Sequence, residues 1–322
     1  MREVNQNPFS FVANTICQDF VYFKTTRDQI LLCHPGTWID QKFCEKYNSI
    51  SNKINSNTVV AQELKEKFKS HLLSHLELVF ENELSQSKTQ LLVLFNSMLE
   101  ERKSFLNWSI ACFEVFNKAT TEELSELHET DINLFRKAHL SASIAIWASL
   151  SNGLYDPNFL EDIYHITFFQ DAGLISSEYS YFITEALDQE SISPGNGIRY
   201  LLSKNAKDEE IKLFKEHPFG SLEHIKSLGY LKNPDLVNSV LFGHELSNGE
   251  GFPFGYTEEV LNSWEKIIII ADQLVKYNST TDYDFFKEIE SLRSSKLSLL
   301  PVKKVLHKSL RTITCFHQEV SA

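Results

Sequence analysis

Between Asp131 and Asp272 the chain presents one helix start after another, and that succession limits the fold more than any other feature. Helical runs open at Asp131, near Phe159 and at Asp208, and Asn233-Pro234 has the form of an N-cap followed by proline at the first helical position. Thr257 reads as the N-cap of a further helix that continues through Asp272. Such helices bury their apolar faces on one another, so residues 126–322 are expected to form an all-α domain.

Residues 1–125 read differently. Short runs rich in Val, Ile, Phe and Tyr, Phe20–Phe23 and Ile30–Cys33, are broken by Thr25-Thr26-Arg27-Asp28 and His34-Pro35-Gly36, a pattern of small strands and turns that extends to about residue 59. From Val60 the spacing turns helical, with Leu64, Phe68, Leu72, Leu76 and Val79, and then Leu92, Phe95 and Leu99 beyond the polar break Ser85–Lys88. Thr120 and Glu123 have capping-box spacing, which puts a junction near residue 125. The expected class is α+β: a small α/β N-terminal domain with two long helices, then the helical domain.

Composition narrows the function. The 322 residues are 42% hydrophobic and 23% charged, as in a globular protein, and the formal charge of -12 disfavours a nucleic-acid polymer or an anionic membrane surface as partner. The longest aliphatic run, Ile267–Ile270, is too short to cross a bilayer, and the first residues lack the charged and apolar regions of a signal peptide. Cys17, Cys33, Cys44, Cys112 and Cys315 are odd in number and never spaced as C-x-x-C, which argues for reduced thiols. A cytoplasmic protein is expected.

Five residues at helix ends or on helix faces are candidate metal ligands: His139, Asp171, His217, His244 and Asp272. A lone histidine is usually a packing residue, so the flanks matter. They read Lys137-Ala138-His139-Leu140, Phe168-Phe169-Gln170-Asp171-Ala172-Gly173, His217-Pro218, Gly243-His244-Glu245 leading to Gly249-Glu250-Gly251-Phe252-Pro253, and Ala271-Asp272. A zincin helix is excluded, because that motif needs a second His four residues after His244 and position 248 is Asn.

In order and spacing these segments resemble the HD-GYP family, the HD-superfamily domain of bacterial cyclic di-GMP phosphodiesterases, from residue 129 to about 280. The resemblance implies an HD-type helical fold and a site where metal ions joined by a carboxylate act on a phosphodiester. Carried over, His139, Asp171 and Asp272 would serve one metal, and Asp171 would bridge to a second held by His217 and His244. Lys266, Asn248 and Phe252 would face the nucleotide.

Departures from the pattern are as informative. Gln170 and Gly243 stand where the family has histidines, so each metal position loses an imidazole, and Leu174 replaces a phosphate-facing lysine. Phe135 takes the place of a glutamate that serves a third metal in some members. Phe252 replaces the signature tyrosine, Asn248 an aspartate and Lys266 an arginine. The tract 176–198, with Tyr179, Tyr181, Phe182 and Pro194-Gly195-Asn196-Gly197, is longer than the family's loop and is either a lid or a surface elaboration.

The expected function is therefore a degenerate HD-GYP-like signalling protein that binds a nucleotide or a protein partner, with weak or no phosphodiesterase activity. An active metal-dependent cyclic di-GMP phosphodiesterase, with Asp171 as its bridging catalytic group, is the alternative. No cofactor, or one divalent ion of iron, manganese or zinc, is expected rather than two. The partners expected are a cyclic dinucleotide, a protein or a second copy of the chain. A pure scaffold ranks lower, since two buried carboxylates need protonation or pairing. His71 and His75 share a helix face with no further ligand, His165 lies off the face of Gln170, and Glu223-His224 reads as a capping or solvent-facing pair.

Overall fold

The computed structural model describes residues 102–276 apart from 153, 155, 176–179, 193–194 and 247, together with 41–56, parts of 11–39, and residues 70 and 73. Of the two long helices expected from Val60 to Leu99, residues 70 and 73 are described and are helical; His71, His75 and the rest of that span lie outside the described residues.

Near the start, β1 (Thr15–Ile16) pairs antiparallel with β4 (Trp38–Ile39), and β2 (Val21–Lys24) lies between β3 (Gln29–Cys33) and β5 (Ile54–Ser56), antiparallel to both. Helix α1 (Gln41–Tyr47) follows β4, and Phe11, Val21, Ile39 and Cys44 are buried together. Asn48 closes this cluster by accepting from the Phe11 N–H (2.8 Å) and donating to the Phe11 carbonyl (3.0 Å).

From residue 102 onward the described chain is helical. It comprises α2 (Arg102–Phe116), α3 (Thr121–Thr130), α4 (Ile132–Ser151), α5 (Pro157–Phe168), α6 (Ser180–Ile192), α7 (Asn196–Ser203), α8 (Asp208–Leu228) and α9 (Ser263–Leu274). Two 3-10 segments, Ala172–Leu174 and Pro234–Phe242, join them. Helix α4 is the axis. Every residue from Leu134 to Leu150 is buried, and its Ala and Ser positions let α2, α3, α5 and α9 approach from several sides. Trp108, Phe135, Trp147, Tyr164 and Phe168 fill the space around it.

Local chemistry explains most boundaries. Asp131 caps α4 by accepting from the Asn133 N–H at 2.8 Å, and Asp156 caps α5 by accepting from Phe159 at 2.8 Å. The Thr120–Glu123 capping box is present and starts α3. The expected junction near residue 125 thus falls within a helix, and Trp108, Phe113 and Phe116 of the preceding helix share the core of α4. Asn233 caps the segment it was expected to cap, in 3-10 rather than α form.

Thr257 is a correction. It closes a loop by bridging to Asn248, and α9 starts later, at an Asn262–Glu265 capping box. Both residues are competent caps by type, but only Asn262 is followed three residues on by a glutamate that returns to its N–H, at 2.6 Å. Farther off, the Asp162 carboxylate on α5 accepts from the Lys232 and Asn233 N–H groups, both at 2.7 Å, and ties the end of the α8 loop to the core. None of the described helices is long and apolar enough to cross a membrane.

Candidate metal centre

Asp171 sits in the turn between α5 and Ala172–Leu174, and a glycine lets that turn lie directly on α8. A Cβ at Gly173 would stand 2.1 Å from the His217 carbonyl oxygen, and the Gly173 N–H donates to Ser221 Oγ at 2.8 Å. His217 lies on α8 just before Pro218. Proline has no N–H to give to the carbonyl one turn back, so the Phe214 carbonyl is free to accept from His217 Nδ1 at 2.9 Å. That bond fixes the tautomer and leaves Nε2 facing Asp171 with a lone pair.

His244 follows the segment Pro234–Phe242. Its Nε2 is 2.9 Å from His217 Nε2 and 3.2 Å from Asp171 Oδ1, and His217 Nε2 is 3.4 Å from the same oxygen. On the far side, His244 Nδ1 faces Asp272 Oδ2 at 3.4 Å. The following loop folds back over the ring. Phe252 stacks on His244 at 4.9 Å, its N–H donates to the His244 carbonyl, and the buried Glu245 carboxylate accepts from Phe254 (2.8 Å) and Tyr256 (2.7 Å). Gly251 permits the fold-back, since a Cβ there would meet the Leu246 nitrogen at 2.4 Å.

The remaining side of Asp171 is occupied by a lysine. Lys137 of α4, with only 4% of its side chain exposed, places Nζ 3.0 Å from Asp171 Oδ2 and 2.7 Å from Asp272 Oδ1. Gln170 Nε2 donates to that same Asp272 oxygen at 2.8 Å. Asp171 Oδ1 thus faces an imidazole pair and its Oδ2 an ammonium.

Burial alone would neutralise these groups, and the pairing reverses it. It would lower the Lys137 pKa, but Asp171 and Asp272 hold it above its ordinary value, and buried Asp188 on α6 adds to the effect. It would raise both carboxyls, yet Lys137 and the His244 imidazolium hold Asp171 well below the usual carboxylate range, and the same two groups lower Asp272. Burial pulls His217 down, leaving it neutral. The same desolvation acts on His244, but Asp272 and Asp171 push it up to about 9. Two anions thus face two cations, the Lys137 ammonium and the His244 imidazolium.

His139 is not brought to this cluster. Its Nε2 pairs with Ser109 of α2 at 2.9 Å and its ring meets Phe113 edge-on, with the pKa drawn down to about 3 by burial. Lys137 and His139 are two residues, about 200°, apart on a helix, so α4 can turn one or the other to Asp171 but not both. Asp272 is brought in, yet it contacts Lys137, Gln170 and His244 and stands outside the triad that can hold an ion. Gln170 and Gly243 are neighbours, with a Cβ at 243 lying 3.4 Å from Gln170 Oε1. Leu174 and Phe135 are fully buried in the apolar core. Among the expected ligand-facing residues, Phe252 lies on the imidazoles, Asn248 is exposed and bonded to Glu250, and Lys266 is half-buried on the first turn of α9. His165 is engaged elsewhere, accepting from the Lys118 N–H at 3.1 Å. His224 is half-buried beside Phe169.

Asp171, His217 and His244 are a buried group able to hold a metal ion. Their donor atoms stand 2.9–3.4 Å apart, against about 3.0–3.4 Å expected between neighbouring ligands each about 2.1 Å from one ion. One ion fits. The position between Asp171 Oδ2 and Asp272 does not suit a second, because the groups turned toward it, Lys137 Nζ and Gln170 Nε2, present hydrogens rather than lone pairs.

No protein-family model matches the chain, and no curated protein matches it. Among solved structures it is similar to Bd1817, a HDG"Y"P protein from Bdellovibrio bacteriovorus, at 14% identity and a TM-score of 0.42, over 95% of this chain and 96% of that one.

Proposed function

We propose that this chain is a degenerate HD-GYP-like signalling protein that binds a nucleotide of the cyclic dinucleotide class and turns it over weakly or not at all. One observation carries the reading. Asp171, His217, His244 and Asp272, far apart in sequence and picked out by the family's motif order, meet in one buried cluster under Phe252. The cluster nevertheless lacks the imidazoles of positions 170 and 243, and a lysine stands at one metal position.

An ion held by Asp171, His217 and His244 would supply Lewis acidity toward a phosphate ester. Around it, Phe214 orients His217, Asp272 orients His244, and Phe252 with its loop keeps water from the imidazole pair. The fit of that triad to one ion also supports the second reading, an active phosphodiesterase working from a single metal.

Calorimetry with cyclic di-GMP in the presence of manganese, alongside chromatography of the products, separates the two readings. Binding with little product is expected. Robust turnover abolished by Asp171→Ala would establish the enzyme, and absence of binding would overturn the nucleotide reading.

A further inference from the structure

We infer that the Lys137 ammonium is a permanent, built-in replacement for one of the two metal ions that such a site would otherwise hold, so that the centre takes one divalent cation and excludes a second. The inference rests on the reading of these residues as a phosphodiesterase-type metal site. It goes beyond that reading by assigning the excluded position and the residue that excludes it.

Three observations support it. First, Nζ contacts the two carboxylate oxygens that would otherwise coordinate there, Asp171 Oδ2 at 3.0 Å and Asp272 Oδ1 at 2.7 Å, and these side chains are only 6% and 5% exposed. An ammonium in that place delivers positive charge to both carboxylates, as a metal does, but a cation cannot share the position with it. Second, the other groups there have adapted to an ammonium rather than to an ion. Gln170 turns its amide N–H to Asp272, and its Oε1 has no hydrogen-bond partner among the described residues. Third, the imidazole that would have served this position, His139, is held on the opposite side of α4 by Ser109. The helix would have to rotate by about 200° to exchange them, which its burial on every face forbids.

The ammonium also divides the labour of Asp171. Oδ2 is committed to Lys137, while Oδ1 remains with His217 and His244. The carboxylate that joins two metals in the family pattern here joins one metal position to a side chain of its own protein.

Counting ions tests this without any nucleotide, so the outcome is independent of whether cyclic di-GMP binds. The full chain, equilibrated with manganese and freed of excess, is expected to retain no more than one ion per molecule. Lys137→Ala is expected to retain one more than wild type, with manganese raising its melting temperature by several degrees more than it raises that of wild type. Two ions in the wild-type chain, or equal counts in both proteins, would overturn the inference. Should Lys137→Ala precipitate, Lys137→Met, which keeps the side-chain volume and removes only the charge, is purified with manganese present and is expected to retain one ion more than wild type; a wild-type count in it would overturn the inference.

Discussion

Single residues in this chain carry opposite charge demands, and they respond to pH in opposite directions. His165 is buried and held neutral, its pKa drawn down to about 4 by desolvation, and His139 behaves likewise at about 3. Their unfolded value is near 6.5, so the stability tied to their neutral state is whole above that pH and is lost as the pH falls toward 4. His244 has the reverse sign. Despite burial, Asp272 and Asp171 push its pKa up to about 9, so its contribution is whole below 6.5 and is lost as the pH rises through 9. In metal-free protein, urea midpoints between pH 4 and 10 should therefore peak near pH 6.5 and fall on both sides of it. His165→Gln should make only the acid limb shallower, since His139 still contributes to it, and His244→Gln only the alkaline one. Leu174 gives a second residue-scale outcome. Its position in the motif resembles that of a phosphate-facing lysine, but the side chain is fully buried in the apolar core. Leu174→Lys is expected to lose about 3–5 kcal/mol of unfolding free energy in urea titrations rather than gain a phosphate contact.

Elements place these residues, and much of that placement was legible in sequence while some was not. The caps at Asp131 and Asn233 are local chemistry, readable from neighbours three residues away, and helices start there as expected. Thr257 misleads because a competent capping residue also closes loops, and only the partner at Asn248 decides which it does. The motif residues Asp171, His217, His244 and Asp272 could be picked out because each has a distinctive neighbour, such as Pro218 or Gly173. The choice of Lys137 over His139 had no such signal. Helix α4 is buried on all faces, so it has no amphipathic stripe to tell which side meets Asp171, and only a lysine set among apolar and small residues hints at a buried partner. Close approach of elements is a further property that only the structure reveals. With a Cβ at Gly173 pressed to 2.1 Å from the His217 carbonyl, Gly173→Ala must move the Asp171 turn off α8. The expected cost is about 1–3 kcal/mol in denaturant unfolding, together with a loss of manganese affinity that an ordinary core overpacking would not produce.

For the molecule as a whole, the question is whether an ion is needed to keep it folded. Two carboxylates buried together without a counter-charge would destabilise the fold, and in a site designed for two metals the ions supply that charge. Here Asp171 and Asp272 face Lys137 and a protonated His244, so the centre is balanced before any ion arrives. The surrounding core is apolar and continuous from Trp108 to Val275, and Asp162 secures the α8 loop to it through backbone N–H groups. Neither depends on an ion. His244 would have to give up its proton to hold an ion in the triad, so Asp171 would exchange one cationic partner for another and the gain in stability would be that of ligand binding alone. Chelator treatment of the full chain at neutral pH is therefore expected to shift the melting temperature by only a few degrees and to leave far-ultraviolet circular dichroism unchanged. A collapse of helicity on chelation would mean that an ion holds the cluster together and that the Lys137 and His244 charges do not suffice. In Lys137→Ala the same treatment should produce a large drop, because the carboxylates then have His244 as their remaining cation. The contrast between the two proteins reads out, in the stability of the entire fold, how much of a metal's structural role one side chain has taken over.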